Sequence, residues 1–347
     1  MHKNYARFVA LAALLTFVVV VFGAYVRLSD AGLGCPDWPG CYGHVGVPET
    51  PEAIAKANQA YPERPVEATK GWKEMYHRYL ASSLGGLILI LALVAWGYKD
   101  SGLPVALPTL LVILVIFQGL LGMWTVTMLV NPTIVTMHLA GGLATLMLLW
   151  WLALRTGNLF AGTTSQPFAN LYPWLWVGLV LLIIQVLLGG WTSTNYAAAA
   201  CSQFPACYGN QFWPPTDFAA GFNLFQDLGL NSSYEGGVLN NAARVAIQLT
   251  HRIGALIVLI YILPLSLRIM LRASNMAQMT FGIMLHLLVL AQVALGIAVV
   301  MHFKQLHVAV THNAVGALLL IVMLTLIHLA KLPNVSNNSN QPKANAA

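Results

Sequence analysis

Eight apolar runs restrict this chain more than anything else in it, because each is at or near the roughly 20 residues that cross a bilayer core. They lie at about 8–26, 79–98, 105–129, 133–154, 172–194, 249–271, 280–301 and 308–331. At that depth no water is available to the backbone, so a spanning segment must satisfy its own N–H and C=O groups. Strand alternation is absent, which leaves helices. With 58% hydrophobic and 8% charged residues there is no material for a large soluble domain. The predicted fold class is an all-α polytopic membrane protein of eight transmembrane helices.

The first run opens with Lys3 and Arg7, as a signal peptide would. It is too long for that and has no small-x-small cleavage site, so it is read as helix one. With the N-terminus in the cytoplasm, the cytoplasmic segments hold Lys3, Arg7, Lys99, Arg155, Arg268, Arg272, Lys331 and Lys343 against Asp100 alone. The two short outer connections carry only Lys304, which satisfies the positive-inside rule. Two long hydrophilic loops, 27–76 and 195–248, then face outward with ten of the eleven acidic residues. The net charge of +6 is thus a topology signal and gives no support to nucleic-acid binding. The expected location is the bacterial inner membrane, with both termini cytoplasmic.

An internal repeat organises the runs. His77 and His138 recur as His251 and His312 at an offset of 174 (251 − 77 and 312 − 138). A His-Arg step, His77-Arg78 and His251-Arg252, opens an apolar run both times. Cys35 and Cys41 recur as Cys201 and Cys207 at an offset of 166 (201 − 35), each pair around an aromatic-Pro centre. Four helices per half is an even number, so both halves enter the membrane the same way and the pseudo-twofold axis runs along the membrane normal. The expected organisation is two tandem four-helix bundles: residues 1–160 with outer loop 27–76, and residues 161–332 with outer loop 195–248. A disordered, Asn- and Ser-rich tail follows at 333–347. A short amphipathic helix is expected within 49–60, and no period is readable over 209–240.

All four repeated histidines fall in one layer near the outer face, so each bundle can set two imidazoles across its interior. Two imidazoles without a carboxylate or thiolate partner leave zinc short of ligands. They suit heme iron, whose other four positions the porphyrin fills. Small residues three or four places on, Ala81, Gly141, Gly142, Gly254 and Gly316, would leave room for a macrocycle on the same helical face. Arg78 and Arg252 are candidate propionate partners, with snorkelling anchors as the alternative. Glu74 precedes His77 by three residues, whereas Gln248 holds the matching place before His251, so one half alone has an ionisable group there. The alternative for Glu74 is a solvated glutamate. The cysteine loops face the oxidising side and are expected to close as Cys35–Cys41 and Cys201–Cys207. A thiol pair relaying electrons is the alternative for Cys35 and Cys41. A Gln-x-x-Leu-Gly step at Gln118, Gln185 and Gln292 is read as close helix packing. His302 and His307 have no counterpart in the first half and are read as interface residues.

Taken together, the Glu-x-x-His-Arg step at Glu74 to Arg78, the Thr-His-Arg step at Thr250 to Arg252, His138, His312 and one cysteine pair per outer loop resemble the heme A synthase family. That resemblance covers nearly the whole chain. It implies oxidation of a ring methyl of heme O to a formyl group, written for the family as two hydroxylations and loss of water. It further implies that His251 and His312 hold a heme b cofactor, that His77 and His138 bind the substrate heme O, and that Glu74 assists the oxidation. Expected partners are heme O and the lipid bilayer, with heme O synthase, terminal oxidase assembly factors and a second copy of the chain as candidates. Competing classes are a di-heme b-type cytochrome passing electrons between quinol and a partner, a transporter with histidine proton relays, and a structural assembly factor.

Overall fold

A computed structural model describes residues 2–157, 159–160, 168–225, 233–301 and 305–332. Among them, eight helices are long and apolar enough to cross a membrane. They are α1 (His2–Leu28), α3 (Ala68–Gly97), α4 (Ala106–Thr127), α5 (Pro132–Gly157), α6 (Tyr172–Thr194), α8 (Asn241–Arg272), α9 (Met276–Met301) and α10 (Leu306–Ala330). Two further helices lie in the long connections, α2 (Pro51–Ala60) and the single turn α7 (Phe218–Gly221). No strand occurs among the described residues, only isolated bridges at Cys41–His44 and Tyr208–Gln211. The expected tail at 333–347, and His302 and Lys304, lie outside the described residues.

The first four long helices close a ring, α1 on α3, α3 on α4, α4 on α5 and α5 on α1. The next four repeat it as α6, α8, α9 and α10. Each ring has its own apolar core. Val9, Ile88, Leu111 and Leu149 belong to the first, and Leu175, Ile262, Leu285 and Met323 to the second. The rings meet where α10 and α6 pack on α5 and α10 packs on α1, which makes α10 the most buried of the spans. Lipid tails are as apolar as these side chains, so close packing and polar contacts between helices must hold the seam. Trp150 supplies one such contact, donating its indole N–H to the Thr325 hydroxyl at 2.9 Å. Arg27 in the last turn of α1 supplies another. It donates to the Ser193 and Thr194 carbonyls at the end of α6 and stacks over the Tyr196 ring at 4.4 Å.

Two helices start earlier than their apolar runs suggest. The run expected from 79 belongs to a helix beginning at Ala68, and the run expected from 249 to one beginning at Asn241. Asn240 caps the latter, its side chain accepting from the Ala243 N–H at 2.8 Å. His77 and His251 therefore stand about two and a half turns inside their helices, and the first turns of α3 and α8 pack against the cysteine loops. The short helix expected within 49–60 is α2, where Thr50 accepts from the Ala53 N–H and Pro51 takes the first helical position.

Both long connections sit at the same end of the bundle. The Tyr234 N–H donates to the Leu129 carbonyl at 3.1 Å, and the Thr133 hydroxyl donates to the Leu224 carbonyl at 2.7 Å, so the second loop covers the α4–α5 turn. An Arg64–Glu235 pair at 3.7 Å joins the two loops.

Candidate functional site

Each repeated histidine lies against a glycine of the preceding spanning helix. A Cβ built on Gly23 of α1 would meet the His77 ring at 2.8 Å, and one on Gly189 of α6 would meet His251 at 3.2 Å. Likewise Gly122 of α4 borders His138 and Gly296 of α9 borders His312, at 3.5 and 3.1 Å. These glycines keep the two repeat offsets, 166 for the first pair (189 − 23) and 174 for the second (296 − 122). The duplication thus extends from the histidines to the surfaces they rest on. A larger residue at Gly23, Gly189 or Gly296 would crowd the imidazole, whereas Gly122 leaves ordinary contact distance.

His77 and His138 are within electrostatic reach of one another, as are His251 and His312. Within each ring they come from α3 and α5, or from α8 and α10. All four are partly buried. The Nδ1 atoms of His77, His138 and His312 are buried without a hydrogen-bond partner, an arrangement that costs free energy unless the imidazole has another use. Among the described residues, no three His, Cys, Asp or Glu side chains gather as a metal-ion site. Paired nitrogen donors with glycine-lined flanks and no oxygen or sulfur ligand fit an iron porphyrin held from both faces.

The small residues expected to make room beside each ligand have a different neighbour. A Cβ on Gly141 would run into the Gln118 amide, and one on Gly254 into the Gln185 amide. Gly316 faces Gln292 at 3.4 Å. These glycines admit the three glutamines of the Gln-x-x-Leu-Gly step, and two of those amides, of Gln185 and Gln292, reach a histidine. Gln185 Nε2 lies 3.0 Å from His251 Nδ1 and also donates to the His251 carbonyl at 3.0 Å. Gln292 Nε2 lies 3.4 Å from His312 Nε2. Sequence reasoning missed this role, although one signal was present: on a helix, Gln and Gly four residues apart share a face, and that glycine is the one bordering the histidine.

Glu74 is 5% exposed, which rules out the solvated alternative. Its Oε2 accepts from the Cys35 N–H at 3.0 Å, and its Oε1 accepts from Arg78 one turn along α3. Arg78 also donates to the Asp37, Pro39 and Gly40 carbonyls, fastening the first cysteine loop to the helix that carries His77. In the second half Arg252 does the same to the Cys201, Gln203 and Ala206 carbonyls. Gln248, the counterpart of Glu74, is 4% exposed, and its Oε1 has no partner. Both cysteine pairs are closed, Cys35–Cys41 and Cys201–Cys207, and there is no free cysteine among the described residues. His307 is exposed at the start of α10, away from His312.

Comparison with known proteins finds relatives that match nearly the full length of the chain. The family model for the COX15-CtaA cytochrome oxidase assembly proteins matches residues 6–324. The heme A synthase of Shewanella oneidensis is 44% identical over 313 residues, covering 90% of this chain and 92% of that protein. The heme A synthase of Halalkalibacterium halodurans is 26% identical over 330 residues, covering 92% and 94%. That of Caulobacter vibrioides is 26% identical over 339 residues, covering 90% and 92%.

Proposed function

Because this chain belongs to the COX15-CtaA family of cytochrome oxidase assembly proteins, we propose that it is a membrane oxidoreductase converting a ring methyl of heme O to the formyl group of heme A. The observation that carries the reading is a single asymmetry inside a duplicated histidine frame. One half places a buried, hydrogen-bonded carboxylate a turn before its leading histidine, and the other places an amide there. An amide cannot exchange a proton, so the half with Glu74 is the one built for chemistry. In this reading His77 and His138 bind the substrate, and His251 and His312 hold heme b. Heme b, when bound, supplies one-electron redox capacity beside the reacting half.

Taking a methyl to a formyl group requires proton transfers matched to the electrons that an external redox partner exchanges, and Glu74 is the group on this chain to which we assign proton handling at the substrate edge. Arg78 and the Cys35 N–H fix the carboxylate so that it cannot swing out to water. A polar cavity of about 360 Å³ borders the same loop, lined by Gly34, Tyr42, Glu63, Arg64, Glu67 and Glu235 among others. Arg78 and Arg252 follow the leading histidines and are the propionate partners in this scheme; the Arg252 Nε is buried without a partner and remains able to donate. In this reading the cysteine loops face the outer side of the bacterial inner membrane and both termini face the cytoplasm, which the bias of Lys and Arg in the short connections supports. Heme O synthase, oxidase assembly factors and a second copy of the chain are its candidate partners in the bilayer.

Co-expression with a heme O source, followed by chromatography of the extracted hemes, tests the proposal. Heme A should accumulate only with the intact chain. Two retained, unmodified b hemes and no heme A would make the protein an electron-transfer cytochrome instead.

A further inference from the structure

The two halves differ a second time at their leading histidines, in the opposite sense. Gln185 of α6, whose amide meets His251, aligns with Val19 of α1 at the same 166 offset (185 − 19) that aligns Gly189 with Gly23. Gly254 of α8, which admits the Gln185 amide, aligns with Leu80 of α3 (254 − 174). One half therefore carries a large polar residue against glycine, and the other carries valine and leucine packed in the same apolar cluster. The exchange conserves space while removing a hydrogen-bonding group. The result is that His251 Nδ1 has a partner at 3.0 Å and His77 Nδ1 has none.

We propose that Gln185 is the positioning residue that makes the C-terminal heme a resident cofactor, and that the Val19–Leu80 pair leaves the N-terminal heme free to exchange. The proposal rests on the assignment of heme b to His251 and His312. A ligating imidazole that bonds iron through Nε2 carries its hydrogen on Nδ1. A partner for that N–H fixes the tautomer and ring plane and makes the ligand more basic. Gln185 can provide it by a half-turn of its amide, which gives up the Nε2 bond to the His251 carbonyl and turns the otherwise unpartnered Oε1 to the ring when Nδ1 carries its hydrogen. His77 has a phenyl ring beside it, that of Phe22, and no acceptor at Nδ1. No acceptor therefore fixes its tautomer as Gln185 can for His251, and because His312 and His138 both lack an Nδ1 partner, the halves differ in this respect at the leading histidine. A catalyst that must release one heme and keep another needs that difference.

The test uses the full-length protein purified in detergent. Three variants are compared with the parent: Gln185→Val with Gly254→Leu, which transplants the N-terminal pair; Gln185→Glu, which keeps an acceptor; and Val19→Gln with Leu80→Gly, the reverse transplant. Heme content is read by pyridine hemochrome, heme loss by transfer to apomyoglobin, and ligand character by low-temperature EPR. The first variant should lose its b heme about 10- to 100-fold faster, the range typical of a lost outer-shell partner, with altered EPR g-values. Gln185→Glu should restore slow loss, which a purely steric role would not require. The reverse transplant should co-purify with more heme in the N-terminal half. Unchanged heme loss and EPR in the first variant, with the parent retaining heme b, would overturn the role of Gln185 alone. A parent whose b spectrum survives His251→Ala and His312→Ala would overturn the heme b assignment beneath it.

Discussion

The first half sets carboxylates where the second sets amides. Glu74 stands against Gln248, and Asp37, whose two oxygens accept from the Tyr42 and Gly43 N–H groups at 2.6 and 2.7 Å, stands against Gln203 at the 166 offset. At the leading histidine the direction reverses, with Val19 facing Gln185. The backbone frame is shared: the ring of four helices, the glycines under the histidines, the arginine that fastens each cysteine loop. In the proposed reading the two halves are copies of one scaffold, and a handful of side chains divide the work between them. The second copy became polar but neutral around its histidine, as suits a site that holds. The first became ionisable at its rim and apolar behind its histidine, as suits a site that reacts and lets go.

The strongest way to break this contrast is to remove ligands from one half at a time. Alanine at His251 or His312 is expected to remove or strongly change the b-heme absorption of the purified protein, because each substitution takes away one of the two imidazoles assigned to the iron. Alanine at His77 should leave that spectrum in place while stopping heme A formation. A spectrum that responds equally to both substitutions would dissolve the division of labour.

Next in size is the exchange of carboxylate and amide. Glu74→Gln makes the first half resemble the second and is expected to slow heme A formation by about 10²- to 10⁴-fold, the usual worth of a placed acid or base. Gln248→Glu makes the converse change and should leave the rate of conversion near its parent value. Extracted heme O and heme A, quantified over time, separate the two. Similar losses from both would mean that position, and not ionisation, matters.

Much of this contrast was legible in the sequence, and the illegible part has a physical cause. Hydropathy located all eight spans and the histidine register, because a bilayer crossing demands a long apolar run. It placed the starts of α3 and α8 late, since hydropathy measures apolarity and a helix continues into water wherever its caps and side chains allow, as Asn240 does for α8. The Glu74–Gln248 difference was visible as soon as the repeat was aligned at the histidines. The Val19–Gln185 difference was not, because it becomes meaningful only together with Leu80 and Gly254, residues on another helix. Which faces of α1 and α6 meet α3 and α8 is a matter of packing, and no local pattern states it. The glutamines were read as packing residues for the same reason.

A third and smaller contrast concerns the arginines. Arg252→Ala strands loop carbonyls that it alone serves, at a cost of about 1–3 kcal/mol for each that stays away from water. Arg78→Ala strands similar carbonyls and also leaves the buried Glu74 carboxylate without its cation, a loss on the order of 3–5 kcal/mol by itself. Thermal unfolding in detergent should therefore show the Arg78 variant as the less stable of the two. Lysine should rescue neither fully, because a single ammonium cannot fork across three carbonyls as the guanidinium does. Equal destabilisation would indicate that Glu74 is not relying on Arg78 for its charge balance.

The smallest expected effect separates the two loops by pH. The Tyr42 phenol donates to the Pro65 carbonyl at 3.2 Å and is buried in the first loop. Burial raises its pKa above the ordinary value, and the neighbouring Glu67 carboxylate adds to that, with Arg64 opposing. A tyrosine whose folded pKa exceeds its unfolded one contributes stability that is fully present below about pH 10. That contribution fades as the pH climbs past the unfolded value and through the folded one, because the folded loop resists losing a proton that the unfolded chain gives up. The first loop should accordingly become more susceptible to proteolysis than the second in strongly alkaline buffer. Tyr42→Phe should flatten that dependence while costing about 1 kcal/mol at neutral pH for the lost hydrogen bond. Tyr208→Phe, at the equivalent place in the second loop (208 − 42 = 166), is the control. If both substitutions flatten the alkaline response alike, the acidic rim of the first loop contributes nothing specific, and the contrast contracts to Glu74 and Gln185.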